Sequence, residues 1–582
     1  MLLNALAAAA VAMVVLMASS ADASPPSARS YMADQTAKNH FSLGHQHQQQ
    51  RLEQHRAPSS SSSVLGAPQL PNTPFVPMQD LIAAALAHER ATKARNSRTT
   101  SPSAAVSSLF DIGDSVTTTT TTKYNRPPVH GPAPRAPVFW AKEQYRVHAL
   151  PGIDLASDEY ALYAGHMIVD EHGSTEFFMY FERTDAPSDD LIMWTNGGPG
   201  ASSLFGLFVE NGPLAFDSQG KIVHNTAGWH RAGNVLFIEN PAGVGFSTVT
   251  DDRYYPKTIH AVGEMFWTFT QHFTAVFGGA ERTALGRGEY KWWLTGESFG
   301  GMYVPHIADH ILQHNGKLQS GDHKINLKGI AVGNGAFFSP VDIPVNWVDY
   351  FSSRGLLREP KRTAELMSLR SSCSSELADP VKFKNRDLPH CVALTSKFTD
   401  PSYVYAVTRG AHCLSTFYDV RVTACNQGDP TDPYNAFTAA YLNRADVQKA
   451  LHASFAPVEW TWLSFPVYER LYWNGDEPSY LVLPKLVSKG VKVLIYNGDA
   501  DIICNFVGNE MTLSQLRWGG DVGFGKGARL QPYLPNGRSA AGAFIKARGL
   551  SYVRIFEAGH MVPFNQPEAS LAMMQQFVGG SL

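Results

Sequence analysis

The segment Lys291–Gly301 holds a serine at a turn suited to a nucleophile. It contains Gly296-Glu297-Ser298-Phe299-Gly300, directly after an apolar run and directly before a helical pattern. On such a strand–turn–helix the serine hydroxyl projects from the edge of the sheet, at the positive end of the helix dipole. The spacing therefore predicts a nucleophilic Ser298 rather than an ordinary turn.

A nucleophilic serine needs a base, and the base needs a carboxylate that orients it. Hydrolases built on this turn place the three residues along the chain in the order Ser, Asp, His. Asp499 and Asp501 follow the apolar run Val491–Tyr496, and His560 follows the strand-like run Ser551–Phe556. Both positions lie just beyond the carboxyl end of a strand, where such sheets place their sites. We therefore predict His560 as the base, with Asp499 or Asp501 as the acid.

A second glycine-rich run, Asn196–Ser203, follows an early apolar strand. No Gly-Lys-Ser/Thr follows these glycines, which excludes a P-loop for phosphate. The run is better explained as a loop whose backbone N–H groups stabilise an oxyanion. The alternative is a loop without a catalytic role.

The elements that must position these residues are short apolar strands that alternate with helical stretches. Two antiparallel strands, Tyr160–Asp170 and Thr175–Glu182, come first, and helices are expected at Ile259–Phe277 and Met302–Gln313. Buried strands between helices predict an α/β fold with a mixed, mostly parallel sheet covered on both faces. The glycine-rich stretch Gly523–Ala541 is expected to be a surface loop. The later strands are predicted at Leu191–Thr195, Val235–Glu239, Trp292–Thr295, Ile330–Val332 and Val491–Tyr496.

The alternation of strands and helices lapses between about residues 336 and 450, which indicates an insertion over the top of the sheet. The insertion contains Cys373, Cys391, Cys413 and Cys425, and three pairings of these cysteines are open in a secreted chain. Cys504 stands apart as an odd thiol.

The first 135 residues differ in composition from the rest. Residues 1–23 are predicted to be a signal peptide, since Leu2–Met17 is almost wholly apolar and Ala21-Asp22-Ala23 fits a cleavage site. An uncleaved anchor is the alternative. Residues 24–135 carry 11 Lys/Arg against 6 Asp/Glu, with serine, threonine and proline runs typical of a disordered, basic pro-region. Within them Met78–Arg95 has helical spacing, either as an inhibitory segment that docks on the acidic remainder or as a solvated helix.

The charge balance also excludes some functions. The 582 residues carry a net charge of −3, and residues 136–582 alone carry −7, whereas a dedicated nucleic-acid binder carries a basic surplus. No internal apolar run reaches the ~18 residues that span a bilayer, which excludes a polytopic membrane protein.

Six ordered segments together resemble the serine carboxypeptidase family, whose carboxypeptidase Y-like members are α/β-hydrolases with an inserted helical cap. The resemblance implies one catalytic domain over 136–582, with the cap at about 336–450. The family usually has Tyr and Ala where this chain has Phe299 and Gly300. The six segments are Asn196–Ser203, Glu239–Ser247, Gly296–Gly301, Gly329–Gly335, Asn497–Asn505 and Gly559–Pro563.

The resemblance implies Ser298 as the nucleophile, His560 as general base and acid, and Asp501 as the orienting carboxylate. It implies the backbone N–H groups of Gly198 and Phe299 as oxyanion donors. No metal and no cofactor is expected.

The resemblance also implies a binding site for the terminal carboxylate of the substrate. Two closely placed carboxyl groups cannot both ionise cheaply, so one keeps a proton and donates a hydrogen bond, most effectively at acidic pH. The implied carboxylate-binding residues are Asn196, Gly197, Glu210 and Glu297. The implied side-chain pockets are lined by Phe205, Val209, Tyr418, Cys504 and Met561.

The implied function is that of a serine-type carboxypeptidase that releases single C-terminal amino acids from peptides and proteins through an acyl-enzyme. The expected location is the secretory pathway, with an extracellular or a lysosomal or vacuolar destination. Two alternatives stay open: an acyltransferase with the same triad, and a non-catalytic protective partner of other hydrolases. The expected partners are peptide or protein C-termini, without nucleic acid or a stable membrane span. A homodimer is left open.

Overall fold

The described residues of this computed structural model are 141–582, apart from 156–158, 280–281, 283–285, 426, 454–458, 473–475, 536 and 538. The expected signal peptide 1–23, the pro-region 24–135 and the helical segment Met78–Arg95 lie outside the described residues. Their interpretation therefore stays a prediction.

The strands of the described chain begin with the two antiparallel strands that the sequence predicts. In chain order they are β1 (Tyr160–Ile168), β2 (Thr175–Arg183), β3 (Asp190–Thr195), β4 (Leu214–Phe216), β5 (Ile222–His224), β6 (Asn234–Ile238), β7 (Lys291–Glu297), β8 (Leu327–Gly333), β9 (Lys492–Gly498), β10 (Arg517–Trp518), β11 (Asp521–Val522), β12 (Gln531–Tyr533), β13 (Gly542–Ala547) and β14 (Leu550–Ile555).

Ten of these strands form one mixed sheet, in the spatial order β1-β2-β6-β3-β7-β8-β9-β14-β13-β12. The strands from β6 to β14 in this order run parallel to one another, and antiparallel strands flank them at both edges. Strands β4 and β5 form a separate small antiparallel pair, as do β10 and β11. The predicted mixed, mostly parallel sheet is confirmed.

The helices cover both faces of the sheet and form the insertion. The first of them, Ser203–Phe205, continues directly into a π-helical turn at Gly206–Asn211. The helices are α1 (Ser203–Phe205), α2 (Ile259–Phe277), α3 (Gly300–Asn315), α4 (Val345–Ser353), α5 (Pro360–Ala378), α6 (Pro380–Asn385), α7 (Pro389–Phe398), α8 (Pro401–Val407), α9 (Asp432–Leu442), α10 (Ala445–Ala450), α11 (Phe465–Leu471), α12 (Leu483–Ser488), α13 (Phe506–Gln515), α14 (Val562–Asn565) and α15 (Pro567–Val578).

Strand β7 shows why the central strands appear in the sequence as continuous apolar runs. Every residue from Trp292 to Glu297 is buried. Trp293 packs against Phe577 of α15 on one face of the sheet, whereas Leu294 belongs to the apolar core beneath α2 and α3 on the other face. Because helices cover both faces, the strand has no water-facing side on which polar residues would alternate.

The insertion between β8 and β9 is helical and has an apolar core of its own, with Trp347, Leu366 and Leu394 buried. One disulfide, Cys373–Cys391, joins α5 to α7, and a second, Cys413–Cys425, closes the loop region before α9. Cys504 is free and buried. None of the described helices combines the length and the apolar character needed to cross a membrane.

The expectation of a surface loop over Gly523–Ala541 is wrong in one part. Residues Gln531–Tyr533 form β12 and pair antiparallel with β13 at the edge of the sheet. The side chain of Tyr533 is buried. Three residues are too few for an alternating pattern to stand out from the glycine-rich flanks.

Candidate active site

Ser298 lies at the tight turn between β7 and α3. Its φ of 61° falls in the left-handed region, which non-glycine residues adopt mainly where the surrounding structure holds them there. The Ser298 N–H donates to the Gly333 carbonyl at 3.0 Å, and the Ser298 carbonyl accepts from the N–H groups of Gly301 and Ala336, both at 2.9 Å. The turn is thus anchored on both sides.

Two glycines beside this turn leave no space for a side chain. A Cβ at Gly197 would lie 2.3 Å from the backbone nitrogen of Phe299, and a Cβ at Gly301 would lie 2.6 Å from the carbonyl oxygen of Ala336. The loop after β3 therefore lies directly against the serine turn, as the two glycine-rich motifs predict.

His560 and Asp501 come together at the neighbouring ends of β14 and β9. The Nδ1 atom of His560 lies 2.9 Å from Asp501 Oδ2, and Asp501 also accepts from the N–H groups of Ile503 at 3.1 Å and Cys504 at 3.3 Å. Burial raises the pKa of Asp501, and the hydrogen bonds from His560 and from the backbone oppose that rise. Asp499 instead lies 3.6 Å from Arg354. The structure thus brings Asp501, not Asp499, to the histidine.

Asn334 links the two loops that carry these residues. Its side-chain nitrogen donates to the carbonyls of Gly559 (3.1 Å) and His560, while its Oδ1 accepts from Asn497 Nδ2 at 2.9 Å and from the Gly498 N–H at 3.0 Å. Its φ of 41° is also in the left-handed region. Sequence reasoning did not single this residue out, although the Gly-Asn-Gly pattern directly after β8 was a usable signal for a constrained turn.

The backbone N–H groups of Gly198 and Phe299 lie on the two loops that meet at Ser298. Within the described part of the chain, neither N–H donates a hydrogen bond to a backbone carbonyl. Gly198 has a φ of 101°, a conformation that glycine adopts readily. Both donors are therefore free to bind an oxygen of a bound molecule.

A cluster of buried polar side chains lies beside the serine. Asn196 donates from Nδ2 to Glu210 Oε1 at 3.2 Å, and its Oδ1 accepts from Trp194 Nε1 at 2.7 Å. The buried carboxyl groups of Glu210, on the π-helical turn, and Glu297, at the end of β7, lie close enough to affect each other's pKa. Burial raises the pKa of both acids, and the neighbouring Glu210 raises that of Glu297 further. One of the two carboxyl groups is therefore protonated in a pH range where an exposed glutamate is ionised.

Ser298, His560 and Glu297 line one cavity of about 130 Å³ beneath the insertion. Because a cavity of about 150 Å³ can hold a benzene molecule, this volume suits one side chain rather than a folded segment. Asn196, Gly197 and Gly198 also reach the cavity, whereas Glu210 and Phe299 lie outside its lining. Other lining residues were not predicted from the sequence. They come mostly from the insertion and from α11 with its flanking residues: Ile343, Pro344, Trp347, Thr395, Thr399, Trp462, Leu463, Tyr468 and Tyr472.

The residues predicted for side-chain pockets divide into two groups. Phe205, Tyr418 and Met561 line the cavity, and the Tyr418 ring stacks on the His560 imidazole with centroids 4.8 Å apart. Val209 is buried on the π-helical turn, outside the cavity lining. Cys504 also lies outside the lining, and its thiol is buried near Ser298. Burial raises the pKa of that thiol, which keeps it protonated.

The chain belongs to the serine carboxypeptidase family, whose model, described as serine carboxypeptidase, matches residues 151–580. It is accordingly a serine-type carboxypeptidase, a hydrolase with the α/β-hydrolase fold.

Its relatives include fungal peptide-processing enzymes. The pheromone-processing carboxypeptidase KEX1 of Arthroderma otae is 32% identical over 461 residues, which cover 77% of this chain and 69% of that protein. The pheromone-processing carboxypeptidase kex1 of Talaromyces marneffei is 33% identical over 452 residues, 75% of this chain and 69% of that protein. The crystal structure of Kex1(delta)p, a prohormone-processing carboxypeptidase from Saccharomyces cerevisiae, matches with a TM-score of 0.64 at 25% identity and covers 76% of this chain and 96% of that chain.

Proposed function

We propose that the protein releases single C-terminal amino acids from peptides and proteins, with Ser298 as nucleophile, His560 as general base and acid, and Asp501 as the orienting carboxylate. The observation that carries this proposal is the hydrogen bond between His560 Nδ1 and Asp501 Oδ2, beside a cavity that Ser298 and Glu297 also line. A nucleophile, a base held by a carboxylate and a buried acid pair then act on the same bound peptide end.

The reaction proceeds through an acyl-enzyme. Ser298 Oγ attacks the carbonyl carbon of the last peptide bond while His560 accepts the hydroxyl proton. The N–H groups of Gly198 and Phe299 stabilise the oxyanion. The carbon–nitrogen bond then breaks, and His560 passes its proton to the departing amine, which leaves as a free amino acid. Water attacks the Ser298 ester by the same steps and restores the hydroxyl.

Glu210, Glu297 and Asn196, with the backbone of Gly197, bind the terminal carboxylate of the peptide. At acidic pH the proton retained by the buried acid pair serves as a hydrogen-bond donor to that carboxylate. As the pH rises through the raised pKa of the pair, the proton is lost and two anionic groups face the anionic substrate. Substrate binding should therefore be strongest at acidic pH and weaken towards neutral pH.

Phe205, Tyr418 and Met561 contribute apolar wall to the cavity beside the catalytic groups. We assign this wall to the side chain of the departing residue, because a cavity of about 130 Å³ beside the catalytic groups suits one side chain. This size supports release of one residue at a time from a free C-terminus.

Diisopropyl fluorophosphate, which phosphorylates activated serines, tests the assignment of the nucleophile. One equivalent should modify Ser298 and abolish release of an amino acid from an N-blocked dipeptide at pH 5. The Ser298→Ala variant should neither incorporate the reagent nor cleave the dipeptide, whereas Ser488→Ala, at an exposed position, should do both. Modification of a different serine, or cleavage by Ser298→Ala, would overturn the mechanism.

We further propose that residues 1–23 direct the chain into the secretory pathway and that residues 24–135 are a basic pro-region ahead of the catalytic domain, 136–582. The names of the relatives, pheromone-processing and prohormone-processing carboxypeptidases, support peptide precursors as substrates. An extracellular or a lysosomal or vacuolar destination follows from this route. Limited proteolysis near Arg126–Arg135 should raise the activity, and unchanged activity would reject an inhibitory pro-region.

A further inference from the structure

Two neighbouring helices outside the proposed catalytic groups place three imidazoles around one carboxylate. His260 and Glu264 are four residues apart on α2, and His310 and His314 are four residues apart on α3. Residues at this spacing lie on the same face of a helix, so each helix presents two potential ligands to the other. No step of the proposed reaction uses these side chains.

The distances from Glu264 Oε1 to the three imidazole nitrogens are close to those between neighbouring ligand atoms around a single ion. Glu264 Oε1 lies 3.7 Å from His260 Nε2, 3.2 Å from His310 Nε2 and 3.5 Å from His314 Nε2. The ligand atoms of His260, Glu264 and His310 all lie within 4.8 Å of one another. In a tetrahedral zinc site with bonds of about 2.0–2.1 Å, neighbouring ligand atoms lie about 3.3 Å apart. Small side-chain rotations therefore suffice to bring these atoms around one metal ion.

His310 forms the buried floor of this cluster. Its side chain is 8% exposed, and in the described part of the chain its Nε2 atom has no hydrogen-bond partner of acceptable geometry. This nitrogen lies 3.2 Å from Glu264 Oε1 without a well-formed hydrogen bond, so it faces the position between the two side chains where an ion would bind.

Two residues of α2 hold the imidazoles of α3 in place. A Cβ at Gly263 would lie 3.0 Å from His310 Cγ, so this glycine allows the two helices to approach closely between His260 and Glu264. The Trp267 ring stacks on the His314 ring, with centroids 4.7 Å apart. The cluster is thus built into the helix contact rather than formed by freely moving surface chains.

We propose that His260, Glu264 and His310 bind one Zn²⁺ ion, with His314 as the fourth ligand. Three imidazole nitrogens and one carboxylate suit zinc, whereas Mg²⁺ and Ca²⁺ prefer all-oxygen sites. The side chains of His260 and Glu264 are 74% and 49% exposed, which gives an ion direct access from solvent. The bound ion joins α2 to α3, the helix that starts two residues after Ser298, and so stabilises the support of the catalytic turn.

Zinc titration of the full-length, untagged chain against a chromophoric chelator at pH 7.5 tests this proposal. The background variant should carry His45→Gln and His47→Gln, so that these two histidines, which stand two residues apart in the sequence, do not compete for the ion. We expect one Zn²⁺ per chain, no binding of Mg²⁺, and the visible absorption bands of a tetrahedral site when Co²⁺ replaces Zn²⁺.

Two exposed ligands can be replaced with little risk to folding. His260→Gln and Glu264→Gln should each weaken Zn²⁺ binding at least ~10-fold, since even loss of a residue that only supports a ligand costs ~10–100-fold. His148→Gln is the matched control, because His148 is also an exposed histidine beside a glutamate, 3.4 Å from Glu143. This variant should bind zinc as tightly as the background variant does. Zinc binding that is absent in the background variant, or unchanged in both ligand variants, would overturn the proposal in favour of simple ion pairs.

Discussion

Gly197 and Gly300 both lie beside Ser298, yet only Gly300 has room for a side chain. A Cβ at Gly197 would lie 2.3 Å from Phe299 N and 2.6 Å from Glu297 O, whereas a Cβ at Gly300 would meet only Thr195 O, at 3.6 Å. Backbone atoms cannot move aside without displacing the serine turn. The site therefore requires a glycine at position 197, whereas position 300 can accept a side chain.

A matched pair of alanine substitutions tests this distinction. Gly197→Ala should lower kcat/KM about 100-fold, because it displaces the Phe299 N–H that we assign to the oxyanion. Gly300→Ala should keep kcat/KM within about threefold and add up to ~1 kcal/mol to the free energy of unfolding, as expected for alanine over glycine in a helix. Steady-state kinetics and urea unfolding measure both effects, and equal activity in the two variants would contradict the argument.

Protonation of the Glu210–Glu297 acid pair should determine how KM depends on pH. In the wild type, loss of the shared proton removes a charge-assisted hydrogen bond of ~1.5–3 kcal/mol, so KM should rise about tenfold or more between pH 5 and pH 8. Glu210→Gln keeps a neutral hydrogen-bond donor at every pH and should flatten that rise to less than about threefold.

A substrate with a C-terminal amide is the control, because its KM should not change with the protonation state of the acid pair. Parallel KM profiles for the wild type and Glu210→Gln would contradict this role.

Residue order alone could predict Ser298 and His560 but not choose between the two acids. Asp499 and Asp501 stand two residues apart after the same strand; in the structure Asp501 meets His560, whereas Asp499 lies 3.6 Å from Arg354, directly after α4 of the insertion. Such a contact between distant parts of the chain leaves no local pattern. The resemblance to a known family, rather than spacing, supplied Asp501.

Among the elements, the sheet could be predicted more fully than the insertion. The central strands are apolar along their whole length because helices cover both faces of the sheet. The helices of the insertion pack instead on a small core of their own, and α5 buries only Leu366, Cys373, Glu376 and Leu377 of its 19 residues, so few apolar residues mark its helical period. A usable signal was present, since α5, α6, α7 and α8 all begin with proline, which is favoured in the first turn of a helix.

The disulfide Cys373–Cys391 should stabilise this insertion locally. It joins α5 to α7 across a sequence separation of 18 residues, for which the loop-entropy model gives about 3 kcal/mol. Replacing both cysteines by alanine should therefore speed amide hydrogen exchange in α5 and α7, while exchange in β7, β8 and β9 stays unchanged. Replacing Cys413 and Cys425 is the control and should leave α5 and α7 as in the wild type. Unchanged exchange in α5 and α7 after loss of Cys373–Cys391 would contradict the prediction.

On the scale of the whole molecule, buried titratable groups set the pH range of stability. Burial raises the pKa of Glu176 to about 8 and that of Glu239 to about 7. Between about pH 4.5 and these values the folded state holds a proton that the unfolded state has lost, so the free energy of unfolding falls as pH rises. Burial lowers the pKa of His166 and of His230 to about 4, which makes stability rise with pH up to about 6.5.

For these four groups the two opposing effects nearly cancel between about pH 4.5 and pH 6.5, and the acids alone lower the free energy of unfolding above that range. Above about pH 6.5 only the acids still titrate, and at ~1.4 kcal/mol per pH unit Glu176 alone should cost about 2 kcal/mol by pH 8. Urea unfolding at pH 6, 7 and 8 measures this loss. Glu176→Gln should reduce the slope, because its amide does not titrate. A free energy of unfolding that rises from pH 6.5 to pH 8 in the wild type would contradict the prediction.

The most direct test of the proposed function is mass spectrometry of a synthetic peptide incubated at pH 5 with the wild type and with Ser298→Ala. We predict that the wild type produces a series of products, each one residue shorter at the C-terminus, and that Ser298→Ala leaves the peptide intact. Internal fragments, loss of residues in pairs, or the same series from Ser298→Ala would contradict release of single C-terminal residues by Ser298.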